Sequence, residues 1–151
     1  MIDTHCHLDM EQFDPDREAV IARARDAGFE ALITIGSDLE GSRGAVGLAE
    51  RHDMIYATVG IHPHDAKEFG EEASKQIRAW VRHPKVVAVG EIGLDYHYDL
   101  SPREVQREAF KRQLDFARNA DMPVVIHCRE AKLDTMRILE ESGVKKSLLF
   151  V

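Results

Sequence analysis

The sequence predicts an α/β fold: an incomplete TIM-type (β/α)8 barrel, with five β-α units and the start of a sixth parallel strand. Short apolar runs alternate with longer helix-patterned stretches along the whole chain. Several of those runs are apolar almost throughout, as parallel strands covered on both faces are. Histidine and glutamate recur at the carboxyl ends of the runs, the end at which a barrel of this type assembles its site.

The elements follow in order. Met1–His5, running into His7, reads as the first strand, and the helix over about residues 15–27 ends at Gly28. Ala31–Ile35 is the second strand, followed by a helix over about 40–52. Ile55–Gly60 is the third, with a helix over about 71–82 that Pro84 stops before the fourth strand, Val86–Glu91. Ser101-Pro102-Arg103-Glu104 then offers a capping hydroxyl, a proline at the first helical position and an acid at the third. From there Val105, Ala109, Phe110, Leu114 and Ala117 form one apolar stripe on a helix over about 102–120. Pro123 precedes the fifth strand, Val124–Cys128; a helix over about 131–142 ends at Gly143, and Leu148–Val151 begins the sixth strand.

Strict alternation implies parallel strands and right-handed crossovers. An open doubly wound sheet would satisfy it too, but His-Cys-His stands where that fold carries its Gly-rich phosphate loop. Residues 1–151 read as one domain, without linker or low-complexity segment. A complete barrel takes about 250 residues, so the reading leaves two apolar sheet edges, the first strand and Leu148–Val151, where self-association is expected.

Composition narrows the function. With 44% hydrophobic and 31% charged residues the chain is of the soluble globular type, and no apolar run of about 18 residues suggests a membrane span. The start, Met-Ile-Asp-Thr-His, is unlike a secretory signal, so a cytoplasmic location is expected. Cys6 and Cys128 do not form a disulfide framework and read as small apolar residues. A net charge of −7 excludes a broad basic surface for nucleic acid. A polyphosphate substrate would need a local offset, which divalent cations would supply.

His5 and His7 share one side of a strand, since side chains alternate, and two imidazoles there suit one metal ion. Alone, the pair is equally well a coincidence. Glu91 ends a strand of valine and alanine, where a carboxylate is costly unless paired, protonated or metal-bound. His127 ends another such strand; Arg129 beyond it suits a phosphate or carboxylate, or equally a surface ion pair. His62 either lines a substrate pocket or braces the turn before Pro63, and Asp95 either meets substrate or shapes its loop. His52 and His83 belong to helix carboxyl ends, and His97 to a loop.

Asp-Thr-His-Cys-His at 3–7, Gly-Ile-His-Pro-His at 60–64, Gly-Glu-Ile-Gly-Leu-Asp-Tyr at 90–96 and Pro-Val-Val-Ile-His-Cys-Arg at 123–129 together resemble the TatD family of metal-dependent deoxyribonucleases. The resemblance implies an amidohydrolase-like barrel that cleaves DNA phosphodiester bonds with metal-activated water, often from a strand end. It implies two divalent ions per intact site, of zinc, manganese or magnesium. His5 and His7 would ligate one and His127 the other, with the catalytic Glu91 shared between them. On the reading of the residues themselves, His62, Asp95 and Arg129 are expected to meet the substrate. Some relatives are described as deacylases of D-aminoacyl-tRNA, which makes a carbonyl ester the second reading. The family pattern continues with a further histidine and an aspartate beyond residue 151. Impaired catalysis, or a non-enzymatic fragment, is therefore the third.

Overall fold

The computed structural model describes residues 1–144 and 148–150. Its strands are β1 (Ile2–Cys6), β2 (Ala31–Ile35), β3 (Ile55–Val59), β4 (Val86–Asp95), β5 (Val124–Arg129) and β6 (Leu148–Phe150). The expected sixth strand is described over those last three residues, and Val151 lies outside the described residues. The helices are α1 (Arg17–Asp26), α2 (Leu39–Arg51), α3 (Glu71–Trp80), α4 (Arg103–Asn119) and α5 (Lys132–Ser142). All six strands form one sheet in chain order, each parallel to the next. A doubly wound sheet would reverse its order once; sequential order is that of a barrel wall.

Ile55, Val59, Ile92, Leu94 and Ile126 from the strands are enclosed together with Ile77, Phe110, Leu114 and Ile138 from the helices. Burial of these side chains supplies the main stabilisation, on the order of 1.5–3 kcal/mol each. Local signals agree with the packing. Asp38 Oδ1 accepts the Gly41 N–H at 2.7 Å and caps α2, and Gly143 ends α5 at φ 70°.

Three expectations are corrected. The fourth strand does not close at Glu91 but runs on to Asp95, because the apolar residues that continue it, Ile92 and Leu94, are fully buried and pair with β5. Ser101 does not cap α4: its hydroxyl donates to the His64 carbonyl at 2.7 Å and accepts the Lys67 N–H, tying down the 3-10 helix Pro63–Glu68. The expected stripe of α4 is buried at Ala109, Phe110, Leu114 and Ala117 but not at Val105, and two glutamines join it. Val105 is 37% exposed, whereas Gln106 and Gln113 are buried. Both glutamines serve as backbone substitutes where strands run out of partners. Gln106 accepts from the Asp95 N–H at 2.8 Å and donates to its carbonyl at 3.0 Å. Gln113 does the same for Ile61, at 2.8 and 3.1 Å. A buried amide of that length satisfies a donor and an acceptor at once, which no apolar residue does.

The register of β4 matters most for the site. Between Val89 and Ile92 it advances three residues while β5 advances two, from Val124 to Ile126, so an extra residue bulges at Gly90–Glu91. Thr58 of β3 donates its hydroxyl to the Gly90 carbonyl at 2.5 Å and pins the bulge. Gly93 lies directly opposite His127 at φ 144°, a conformation that disfavours any side chain, and a Cβ there would overlap the His127 carbonyl oxygen. Gly93→Ala should therefore cost about 2 kcal/mol or more in urea unfolding. Wild-type stability in that variant would show that the close strand approach is dispensable.

Candidate metal centre

Four chain segments deliver polar side chains to the carboxyl end of the sheet. His5 comes from β1 and His7 from just beyond it, His62 and His64 from the segment after β3, Glu91 and Asp95 from β4, and His127 from β5. On β4, residues 91, 93 and 95 share a face by alternation, so two carboxylates flank a glycine. The His127 ring fills the space that Gly93 leaves: Nδ1 stands 3.0 Å from Glu91 Oε1 and Nε2 stands 3.0 Å from Asp95 Oδ2.

Glu91 is 5% exposed and lies between two groups of imidazoles. Its Oε2 is 3.6 Å from His5 Nε2; its Oε1 is 3.0 Å from His127 and 3.6 Å from His62 Nε2. His5 Nε2 and His7 Nε2 face each other at 3.3 Å. Burial pushes the Glu91 carboxyl up, but the hydrogen bond from His127 and the neighbouring His62 and His5 rings outweigh it and hold the group below its ordinary range. The result is a buried carboxylate kept in its charged form by histidines alone.

Two groups of three side chains can hold a cation among the described residues, His5–His7–Glu91 and His62–His64–His127, each with its donor atoms within 4.8 Å of one another. The first fits well. Nitrogen and oxygen ligands about 2.1 Å from one ion stand roughly 3.0–3.4 Å apart, close to the His5–His7 separation. The Nδ1 atoms of His5 and His7 are buried without a hydrogen-bond partner among the described residues, so no contact at Nδ1 fixes their tautomers. A cation at the two Nε2 atoms would do so. In the second group, His62 Nδ1 accepts the His64 N–H at 3.2 Å, so the His62 proton lies on Nε2, facing Glu91. That makes His62 a donor towards an oxygen rather than a metal ligand, and leaves His127 beside Glu91 as the better second anchor.

Asp95 departs from expectation. It is not a loop residue with a free carboxylate but the fully buried last residue of β4. Oδ2 accepts from His64 at 2.8 Å and from His127, while Oδ1 accepts the backbone N–H groups of His97 and Tyr98. With both oxygens engaged it has no face for substrate and acts as a positioning residue. Burial opposes its charge, but those hydrogen bonds hold it well below the usual carboxylate range. His127 is affected in the complementary way: burial lowers it, and the bonds to Glu91 and Asp95 outweigh that and raise it.

His64 was not singled out from sequence, and the signal for it, a second histidine two residues from His62, is weak alone. Arg17 was also missed: it donates to the carbonyls of Leu8, Asp9 and Met10 and so fixes the segment beyond His7. Arg129 ends β5 at the rim, exposed, with its guanidinium carbon 4.8 Å from the centroid of the Tyr98 ring. Cys6 turns away from the cluster and donates to the Ile33 carbonyl; burial pushes its thiol up to about 12, so it is no nucleophile. His52 and His83 pair with Glu18 and Glu50 outside the cluster. A cavity of about 720 Å³ opens between α3 and α4, lined by Arg78, Arg82, Arg112 and Phe116, and shares no residue with the histidines. The candidate metal centre at the open sheet end is therefore separate from that cavity. No helix among the described residues is long and apolar enough to cross a membrane.

Comparison with known proteins follows the same outline. The family described as TatD related DNase matches residues 2–150. The chain is 42% identical over 145 residues to the uncharacterized metal-dependent hydrolase YabD of Bacillus subtilis, covering 96% of this chain and 57% of that protein. It is 40% identical over 139 residues to the 3'-5' ssDNA/RNA exonuclease TatD of Enterobacter lignolyticus, covering 92% of this chain and 54% of that one. The crystal structure of YJJV, a TatD homolog from Escherichia coli K12, superposes with a TM-score of 0.86 at 33% identity, over 97% of this chain and 61% of that chain. The chain thus spans 57% and 54% of the length of the two curated relatives.

Burial lowers the His62 pKa from 6.5 to about 4, with the neighbouring His127 adding to the shift. Its contribution to stability is present in full above pH 6.5 and is lost as pH falls towards 4, because the unfolded chain then binds the proton that the folded chain refuses. His5 is lowered too, chiefly by burial, and adds with the same sign; His127, raised, loses its contribution as pH rises through its own value. In chelator-treated protein, urea midpoints should fall between pH 7 and pH 4.5, and His62→Gln should remove up to roughly 3 kcal/mol of that fall. An unchanged slope in the variant would show that His62 is not held neutral by the fold.

Proposed function

This chain belongs to the family of TatD-related DNases, and we propose that its histidine–carboxylate cluster hydrolyses phosphodiester bonds of DNA or RNA. One observation carries the reading. A single buried carboxylate, Glu91, meets His5 of the first strand, which faces His7, and also His127 of the fifth. A single structural salt bridge needs only one partner, whereas here imidazoles from three segments surround one carboxylate and burial lowers the pKa of two of them, His5 and His62; that arrangement suits two adjoining divalent ions.

In this reading His5, His7 and Glu91 hold one ion, and His127 with Glu91 holds the other. Zinc, manganese or magnesium bound there would neutralise phosphate charge and lower the pKa of water at the site. The chain's own residues do the rest. Glu91 joins the two halves and is the catalytic carboxylate. Asp95 keeps His127 and His64 oriented. His62, neutral and protonated on Nε2, donates a hydrogen bond to a phosphate oxygen. Arg129, which pairs with no carboxylate among the described residues, meets a second phosphate. Hydrolysis forms a bond from the water oxygen to phosphorus and breaks the bond to the leaving oxygen, which takes up a proton as the water loses one. The name of the Enterobacter lignolyticus relative, a 3'-5' ssDNA/RNA exonuclease, supports single-stranded nucleic acid as the substrate.

The test uses end-labelled single-stranded DNA and RNA, and D-aminoacyl-tRNA, offered to chelator-treated protein with and without manganese, zinc or magnesium. Metal-dependent cleavage of the nucleic acids is expected. Glu91→Gln should lower kcat/KM about 100-fold or more, and His127→Ala should weaken metal binding in calorimetry by about 10- to 100-fold. Arg129→Gln should act mainly on KM. Turnover of the aminoacyl ester alone would favour the carbonyl-ester reading. Neither turnover nor metal uptake would leave a non-catalytic fragment.

A further inference from the structure

Tyr98 has a role that none of the ligand positions explains. It sits in the segment after β4 and remains 52% exposed although it touches several side chains. Its backbone N–H is held at 2.8 Å by Asp95 Oδ1, and that of His97 at 3.0 Å by the same oxygen. The other oxygen of that carboxylate binds His64 and His127. One buried group therefore fixes the cluster and the rim loop in a single frame. The Tyr98 ring meets the His64 ring edge-on, with centroids 5.5 Å apart and planes at 89°. His97 also meets the ring, at 4.7 Å and 85°, and is itself tethered to Glu130 at 2.8 Å. The Arg129 guanidinium lies 4.8 Å from the ring centroid.

Exposed tyrosines on mobile loops are ordinary; one immobilised this thoroughly at the mouth of a site, with an unpaired guanidinium against it, is a platform. We propose that Tyr98 stacks an unpaired nucleobase of the substrate, while Arg129 beside it takes the adjoining phosphate. The inference rests on the phosphodiester reading and deepens it, because it defines the ligand as single-stranded. Bases in a duplex present no free face to a side chain, whereas every unpaired base has one. Stacking also suits this chain's charge: at −7 it repels a nucleic-acid backbone at a distance, and stacking is insensitive to that field. Sequence selectivity is not expected, since an aromatic face accepts any base.

The test measures fluorescence anisotropy of a labelled phosphorothioate oligothymidylate, which resists cleavage, and of an abasic oligomer of equal length, both with manganese present. Tyr98→Ala should weaken oligothymidylate binding roughly 5- to 150-fold and leave the abasic oligomer within about twofold; Tyr98→Phe should bind both as wild type does. Metal stoichiometry and melting temperature of Tyr98→Ala establish that the cluster is intact. Equal weakening of both oligomers would overturn the platform and leave Tyr98 as a prop for His64, as would no weakening at all. Wild-type binding that ignores the bases would overturn the platform while sparing the phosphodiester reading. Failure of the wild type to bind either oligomer would overturn both.

Discussion

His127 held between Glu91 and Asp95 is the interaction on which the site depends. Two carboxylates project from one face of β4, and the ring from β5 bridges them through both nitrogens. Buried carboxylates are expensive unless every oxygen is engaged. Here the cost is offset in a definite order: backbone N–H groups and His64 complete Asp95, and the histidines around Glu91 complete the other. The bridge requires the strands to approach closely at Gly93, and the Gly90–Glu91 bulge to bring β4 into register. Remove either and the carboxylates lose the ring that links them.

A second level of support lies further out. Gln106 completes the backbone of Asp95, and Gln113 that of Ile61, just before His62. Both project from α4 one heptad apart, so one helix sets the height of two strand ends together. Ser101, at the start of the same helix, ties the His64 carbonyl. The polar interior of this half-barrel is therefore continuous from helix to strand end to cluster. Among the described residues His52 Nε2 and Thr135 Oγ1 lack a hydrogen-bond partner away from the cluster, and within it His5 and His7 are the exceptions. Their buried Nδ1 atoms have no partner in a structure otherwise economical with such groups, and the first strand is where the site has most to gain from a cation.

Charge explains the division of labour. Under the proposed function an acidic chain would not gather a polyanion with its surface, so recognition would be local: divalent ions at the cluster, one guanidinium, and contacts that carry no charge. Arg17, Arg103 and Arg107 are committed to holding loops and helices together, whereas Arg129 is left to the rim.

The alternation of strands and helices, the parallel sheet and the clustering of His5, His7, His62, Glu91 and His127 at one end were legible in the sequence. Period-two and period-3.6 patterns decide which residues are buried, and a (β/α) repeat decides which strand ends meet. The four motifs identified the family for the same reason. What the sequence could not disclose were contacts between residues far apart in the chain. The continuation of β4 to Asp95 depends on pairing with β5, and the addition of Gln106 and Gln113 to the buried face of α4 depends on strand ends that need partners. Asp95, read as a loop residue, becomes the frame of the site only because His64, His127 and Tyr98 arrive from three directions. Hydrophobic pattern is a local property of a chain, but the satisfaction of a buried charge is a property of everything packed around it, and only tertiary structure decides that.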